Sequence, residues 1–204
     1  MASRIGAGIW MGAAFAVALA IALPILAVLG AGDHGTDVAL RATARFSLLL
    51  FWLAYTGRAL MILFGPAFAG LARHARDLGL SFAAAHMVHV ALILWLYQGL
   101  GKSPIPHFVV VYDTAALVLI YLMALLSIPR LQTWLRPWQW RLLRDGTMHF
   151  VALIFLVDLV MVPLRLGTQH PMAYLPFAAL AIAGPLLRLA AAIRHRMAVS
   201  VAVA

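Results

Sequence analysis

Apolar stretches long enough to cross a lipid bilayer follow one another along the chain, separated only by short polar segments. They lie at about residues 8–29, 46–68, 78–98, 108–128, 146–162 and 173–193. A transmembrane helix needs about 20 mostly apolar residues, and the helix satisfies its own backbone where no water is present. The sequence therefore predicts an all-α integral membrane protein, with a single transmembrane domain of about six helices over residues 1–204.

Composition supports this class and excludes several kinds of chemistry. Hydrophobic residues make up 65% of the chain and charged residues only 10%, far from the averages of soluble domains. The absence of cysteine excludes disulfides, thiolate catalysis, iron–sulfur clusters and thiolate-ligated haem. The first apolar stretch is about twice the length of the apolar region of a signal peptide, so we expect a retained helix.

The net charge of +9 is better explained by membrane topology than by nucleic-acid binding, because the cations lie in short loops beside the apolar spans. Six spans place both termini on one side, and the loop cations then divide nine to four. The nine on the side of the termini are Arg4, Arg73, Arg76, Arg130, Arg136, Arg141, Arg144, Arg194 and Arg196, and the four others are Arg41, Arg45, Lys102 and Arg165. The positive-inside rule predicts cytoplasmic termini, in what we expect to be a bacterial inner membrane.

Three histidines lie within or near the entrances of the apolar spans. His86 and His89 are in the third span and share one helix face, and His149 is early in the fifth. Ionisable groups inside a membrane are costly and commonly mark functional sites. At about 1.5 Å per residue, His86 and His89 are about 12 and 16 Å deep and His149 about 6 Å. Two axial ligands of one haem lie at similar depth, which favours His86 as the partner of His149.

Other interpretations of the buried polar residues stay open. A histidine in a membrane helix is often only an interhelical hydrogen-bonding group. Zinc is the competing metal, with Asp158 as a further ligand, although Asp158 lies about 13 Å beyond His149 along the helix axis. Arg58, in the second span, needs an anionic partner, which is either Asp158 or a haem propionate. A small transporter or channel would use Arg58, Asp158 and the histidines as a proton or ion path.

Arginine alternates with tryptophan in PRLQTWLRPWQWRLLRDG, between the fourth and fifth spans. Such a pattern is typical of a segment that lies in the lipid headgroup layer. The alternative is a docking platform for a cytoplasmic electron donor. Both interpretations place the segment on the cytoplasmic side of the membrane.

Parts of the chain resemble the ferric-reductase-like transmembrane protein family. RDLGLSFAAAHMVHVAL is similar to the family's third span, in which Arg-x-Leu-Gly-Leu precedes a haem-ligating histidine. This resemblance gives the ligand position to His89 and makes His86 an additional histidine. TWLRPWQWRLLRDGTMHFVALIFL is similar to the loop and fifth span, and AYTGRAL resembles the end of the second span. Together these stretches cover most of residues 41–193 at modest specificity.

The fifth span departs from the family pattern. Without a gap, Arg144 stands where the family has a histidine, and His149 falls five residues later. The region of the second histidine of fuller members reads Met161-Val162-Pro163. The resemblance therefore implies either one bis-histidine haem, with His149 as a displaced ligand, or a member that has kept only the scaffold.

The resemblance implies a membrane b-type cytochrome that acts as an oxidoreductase or electron-transfer subunit. Electrons would come from a quinol or a cytoplasmic flavoprotein and pass to an acceptor such as a periplasmic protein. The candidate ligands of the haem b iron are His86, His89 and His149, and Arg58 and Arg144 are candidate cofactor-binding residues. No glycine-rich phosphate loop is present in the sequence, so no flavin is expected within this chain.

Overall fold

The computed structural model describes residues 4–101, 107–128, 131, 133–161, 164 and 171–203. Within these ranges the chain is all-α and contains no strand, which confirms the predicted class. The helices are α1 (Arg4–Leu29), α2 (Asp33–Phe64), α3 (Ala69–Arg73), α4 (Ala75–Leu94), α5 (His107–Leu126), α6 (Pro137–Leu156) and α7 (Pro171–Val203). A 3-10 turn, Pro66–Phe68, precedes α3, and π-helical turns at Trp95–Gly99 and Val157–Met161 extend α4 and α6.

Four of the described helices are long and apolar enough to cross a membrane. They are Gly6–Leu29, Asp33–Phe64, Ala75–Gly99 and Met172–Ala198, and Val110–Leu126 is a shorter apolar helix. Large apolar side chains such as Val28 and Met172 are exposed, as expected where lipid replaces water. These helices are compatible with an integral membrane protein in a lipid bilayer. The count of six spans and the cytoplasmic termini stay predictions.

Helix boundaries differ from the sequence prediction at two places. The polar residues from Asp33 to Asp37, interpreted as part of a loop, form the first turn of α2, which has 32 residues. An acidic residue in a first turn is stabilised by the helix dipole, so Asp33 favours the helix start. The tryptophan–arginine stretch also becomes helical earlier than expected, because Pro137 opens α6 and Gln139 Oε1 accepts from the Arg136 N–H at 2.9 Å.

Several residues used in the sequence argument lie outside the described residues. They are Lys102, Arg130, Val162, Pro163 and Arg165. The nine-to-four division of loop cations therefore stays a prediction.

The chain divides into two compact units, one of Met1–Phe51 with Asp77–Thr114 and one of Trp52–Arg76 with Ala115–Ala204. The first unit has a core of small residues that joins α1, α2 and α4. Its buried members are Ala14, Ala18, Ala22, Ala39, Ala85, Val88 and Leu92. The three alanines of α1 are spaced by four residues and form one stripe, which lets the helix backbones approach closely in an apolar environment.

Within the first unit, α4 and the first part of α2 run antiparallel. The rings of Phe51 and Phe82 are 5.4 Å apart, and Thr43 Oγ1 lies 3.2 Å from His89 Nδ1. Residue numbers thus rise along one helix as they fall along the other. This register places the hydroxyl-bearing face of α2 beside the histidines of α4.

Within the second unit, the last part of α2 runs parallel to α7. Trp52 Nε1 donates to the Leu180 carbonyl at 2.9 Å, and Arg194 Nη1 donates to the Leu63 carbonyl at 2.7 Å. A Cβ atom at Gly184 would lie 3.3 Å from the Tyr55 ring, so glycine permits this close approach. This packing places Tyr55 next to Arg188 of α7.

Candidate functional site

The two histidines of α4 form a stacked pair in the first unit. The ring centroids of His86 and His89 are 5.2 Å apart with an interplanar angle of 25°. The Phe82 ring lies 5.3 Å from that of His86 on the other side. The shared face expected from the spacing is therefore present, and the stack restricts rotation of both imidazoles.

One ring nitrogen of His89 lies beside the hydroxyl of Thr43. Thr43 Oγ1 lies 2.9 Å from the Ala39 carbonyl oxygen, 3.1 Å from that of Leu40 and 3.2 Å from His89 Nδ1. A hydroxyl has one proton and carbonyl oxygens only accept, so a Thr43 proton donated to the backbone leaves Oγ1 to accept the N–H of His89 Nδ1. We assign neutral His89 as the tautomer with its lone pair on Nε2, the arrangement typical of metal-ligating histidines.

His86 has no such support. Its Nδ1 is buried and has no hydrogen-bond partner among the described residues, and the same holds for Ser47 Oγ and Ser81 Oγ in the same unit. A buried polar group without a partner costs about 1–3 kcal/mol. The interior of the first unit therefore has unused hydrogen-bonding capacity close to the histidine stack.

His149 lies in the second unit and has the same tautomer as His89. Its Nδ1 is 2.6 Å from the Asp145 carbonyl oxygen, which only accepts, so Nδ1 carries the proton. The lone pair of the neutral ring is on Nε2. The ring meets Tyr55 edge-on at a centroid distance of 5.6 Å, and the side chain is exposed.

The two arginines named as candidate cofactor-binding residues lie in different helices, α2 and α6. Arg58 is exposed and forms no ion pair with Asp158 in the described part of the chain. It lies six residues before the end of α2, about 9 Å along the axis. Arg144 pairs with the neighbouring Asp145, from Nε to Oδ1 at 3.1 Å.

Arg188 was not among the residues predicted to be functional. It lies in an apolar span and contacts protein groups. Its guanidinium carbon lies 4.6 Å from the centre of the Tyr55 ring, and its Nη2 lies 3.8 Å from Asp145 Oδ1. The only signal in the sequence was its position inside an apolar helix. Thr43 had a weak signal too, because Thr36, Thr43 and Ser47 recur on one face of α2.

The zinc interpretation finds no ligand set within the described residues. No group of three histidine, aspartate or glutamate side chains is close enough there to hold a metal ion. Haem iron takes imidazole nitrogens as ligands, and an imidazole with its lone pair on Nε2 is a ligand of that kind.

Fold and site together define a class, an all-α protein with apolar, membrane-type helices and candidate imidazole ligands. Comparison of the chain with protein-family models, with curated proteins and with solved structures finds no match.

Proposed function

We propose that the chain is a membrane b-type cytochrome-like electron-transfer protein of the ferric-reductase-like class, in which His89 ligates the haem iron. The observation that carries the proposal is the hydrogen bond between His89 and Thr43. Because it holds the proton on Nδ1, the Nε2 atom is the ligating nitrogen, and the Thr43 oxygen raises its basicity.

The donors of this chain fit a haem with one or two imidazole ligands. In the second unit, His149 is a further proposed ligand by its chemistry, since its Nδ1–H is donated to the Asp145 carbonyl, which would leave Nε2 to bind iron. When bound, the haem supplies one-electron redox chemistry. The residues of the chain hold the ligating nitrogens, limit ring rotation by stacking His86 on His89, and keep water away with apolar neighbours such as Phe82.

The partners of this proposal follow from the family resemblance alone. A quinol or a separate cytoplasmic flavoprotein is the proposed donor, and a periplasmic protein is the proposed acceptor. Arg58 is the proposed partner of a haem propionate, and Arg144 stays a candidate cofactor-binding residue. Any flavin would belong to a partner protein.

The optical spectrum of the purified protein tests the proposed function. Protein from haem-replete cells is expected to show the absorption of a low-spin b-type haem, with a sharp α-band after reduction by dithionite. A colourless, haem-free preparation would contradict the proposal. Ion-dependent flux into liposomes by that haem-free protein would support the transporter interpretation instead.

Replacing Thr43 by valine is expected to weaken haem binding by about 10- to 100-fold, because loss of a ligand's hydrogen-bond partner has effects of this size. Valine has the same shape but does not accept the His89 N–H. Serine keeps the hydroxyl, so Thr43→Ser is the matched control and should bind haem nearly as well as the unaltered chain. The measurement is a haem titration of apoprotein followed by absorbance. Equal affinity in the two variants would show that Thr43 does not support a ligand.

A further inference from the structure

Arg188 lies within the apolar span Met172–Ala198, with only 27% of its side chain exposed. Its guanidinium carbon lies over the Tyr55 ring, at 4.6 Å from the ring centre. A cation over an aromatic face is attracted to it, but the ring satisfies none of the N–H groups. Hydrogen-bond acceptors for these N–H groups therefore come from other parts of the surroundings.

The protein supplies few of those partners. A guanidinium has five N–H donors. Among the described residues, Arg188 donates one long hydrogen bond, from Nη1 to the Tyr55 carbonyl at 3.5 Å. Asp145 Oδ1 is 3.8 Å from Nη2, beyond hydrogen-bonding distance. Acceptors for the remaining N–H groups would stabilise this largely buried cation.

The charges of Arg144, Arg188 and Asp145 also favour a bound anion. Asp145 Oδ1 accepts from Arg144 Nε at 3.1 Å while it also faces Arg188. Two guanidinium groups therefore share one carboxylate, which leaves one positive charge in excess. Tyr55 and His149, which also contact this cluster, supply no carboxylate. A single monovalent anion would neutralise the cluster.

The position of the cluster indicates where that anion comes from. Arg194 caps the carbonyl of Leu63 at the end of α2, and Arg188 precedes Arg194 by six residues, about 9 Å along the axis. On α6, Arg141 and Trp138 are exposed within two turns of Arg144. Arginine and tryptophan near helix ends are typical of the headgroup layer of a bilayer.

We propose that Arg188 and Arg144 bind the phosphate of an anionic phospholipid such as phosphatidylglycerol. Guanidinium groups bind phosphate oxygens with paired hydrogen bonds, and basic sites between membrane helices bind acidic headgroups. A phosphodiester carries the one negative charge that the cluster lacks. Phosphatidylethanolamine carries the same phosphate beside its own ammonium group, so its headgroup suits the site less well.

The test measures lipid binding to the full chain in detergent by native mass spectrometry, with phosphatidylglycerol as the probe and phosphatidylcholine as reference. Arg188→Gln is expected to reduce the preference for phosphatidylglycerol by about 10-fold or more, since a hydrogen bond to a charged group is lost. Arg196→Gln removes the same charge from an exposed position of the same helix and is the matched control. An equal effect of both variants would show only general charge attraction and would overturn the proposal.

A second variant keeps the proposal testable if Arg188→Gln does not fold. Asp145→Asn removes the competing carboxylate and is expected to tighten phosphatidylglycerol binding, whereas weaker binding would contradict the site. Competition by inorganic phosphate at concentrations equal to those of the lipid would assign the site to free phosphate instead. If Arg188→Gln alters haem retention but leaves the preference for phosphatidylglycerol unchanged, Arg188 would be assigned to a haem propionate and the lipid site would be contradicted. Because the lipid measurement needs no haem, its outcome is independent of the proposed function.

Discussion

Replacing His89 by alanine is expected to abolish the haem absorption of the purified protein, whereas His86→Ala should retain it. The two residues lie on one helix and their rings stack, so each variant removes one imidazole of the same stack. Of these two histidines, His89 has its Nδ1 hydrogen-bonded to a protein oxygen, whereas His86 Nδ1 has no partner among the described residues. The measurement is the haem-to-protein ratio together with the reduced-minus-oxidised difference spectrum.

The opposite result has a definite meaning. If His86→Ala loses the haem and His89→Ala keeps it, the ligand is the residue favoured by the depth estimate, and the hydrogen bond of His89 to Thr43 does not identify the ligand. His149→Ala is expected to lose or shift the spectrum as well, because it removes another proposed imidazole ligand. Size-exclusion profiles in detergent show whether each variant still forms the native particle.

The fold class was predictable from sequence because apolar helices in lipid need only length and composition to be recognised. The start of α2 was not, because Asp33, His34 and Asp37 have the polarity of a loop, while the helix places these polar residues in its exposed first turn. The helix that carries the fifth span begins at Pro137, before the apolar stretch predicted from about residue 146. The depth estimate that favoured His86 is counted from the start of that apolar stretch and stays a prediction.

The candidate site was predictable only where it depends on local spacing. His86 and His89 share a face because they are three residues apart. The partner of His89 lies 46 residues away, and the carbonyl that Arg188 contacts lies 133 residues away. Such pairings depend on how helices pack, which periodicity does not reveal. Arg58 was singled out for its depth in an apolar stretch, and the sequence pattern did not reveal that its side chain is exposed.

Gly35→Ala is expected to destabilise the protein strongly and to weaken haem binding with it. Gly35 is buried in the first turn of α2, and a Cβ atom there would overlap the carbonyl oxygen of Gly30. The obstacle is backbone, which a side-chain rotation does not relieve. Overpacking of this kind costs about 1–3 kcal/mol, and relief requires the chain between α1 and α2 to move.

The control for this substitution lies three residues away. A Cβ at Gly32 would meet nothing within 4 Å, and the φ angle of Gly32 is not positive, so Gly32→Ala should be nearly neutral. The measurement is thermal unfolding in detergent, followed by haem titration of whatever protein remains folded. Movement of the α2 start also displaces Thr43, which lies eight residues farther along the helix, about 12 Å. A Gly35→Ala protein as stable as Gly32→Ala would show that the turn adapts without cost, and unchanged haem affinity would separate this turn from the position of Thr43.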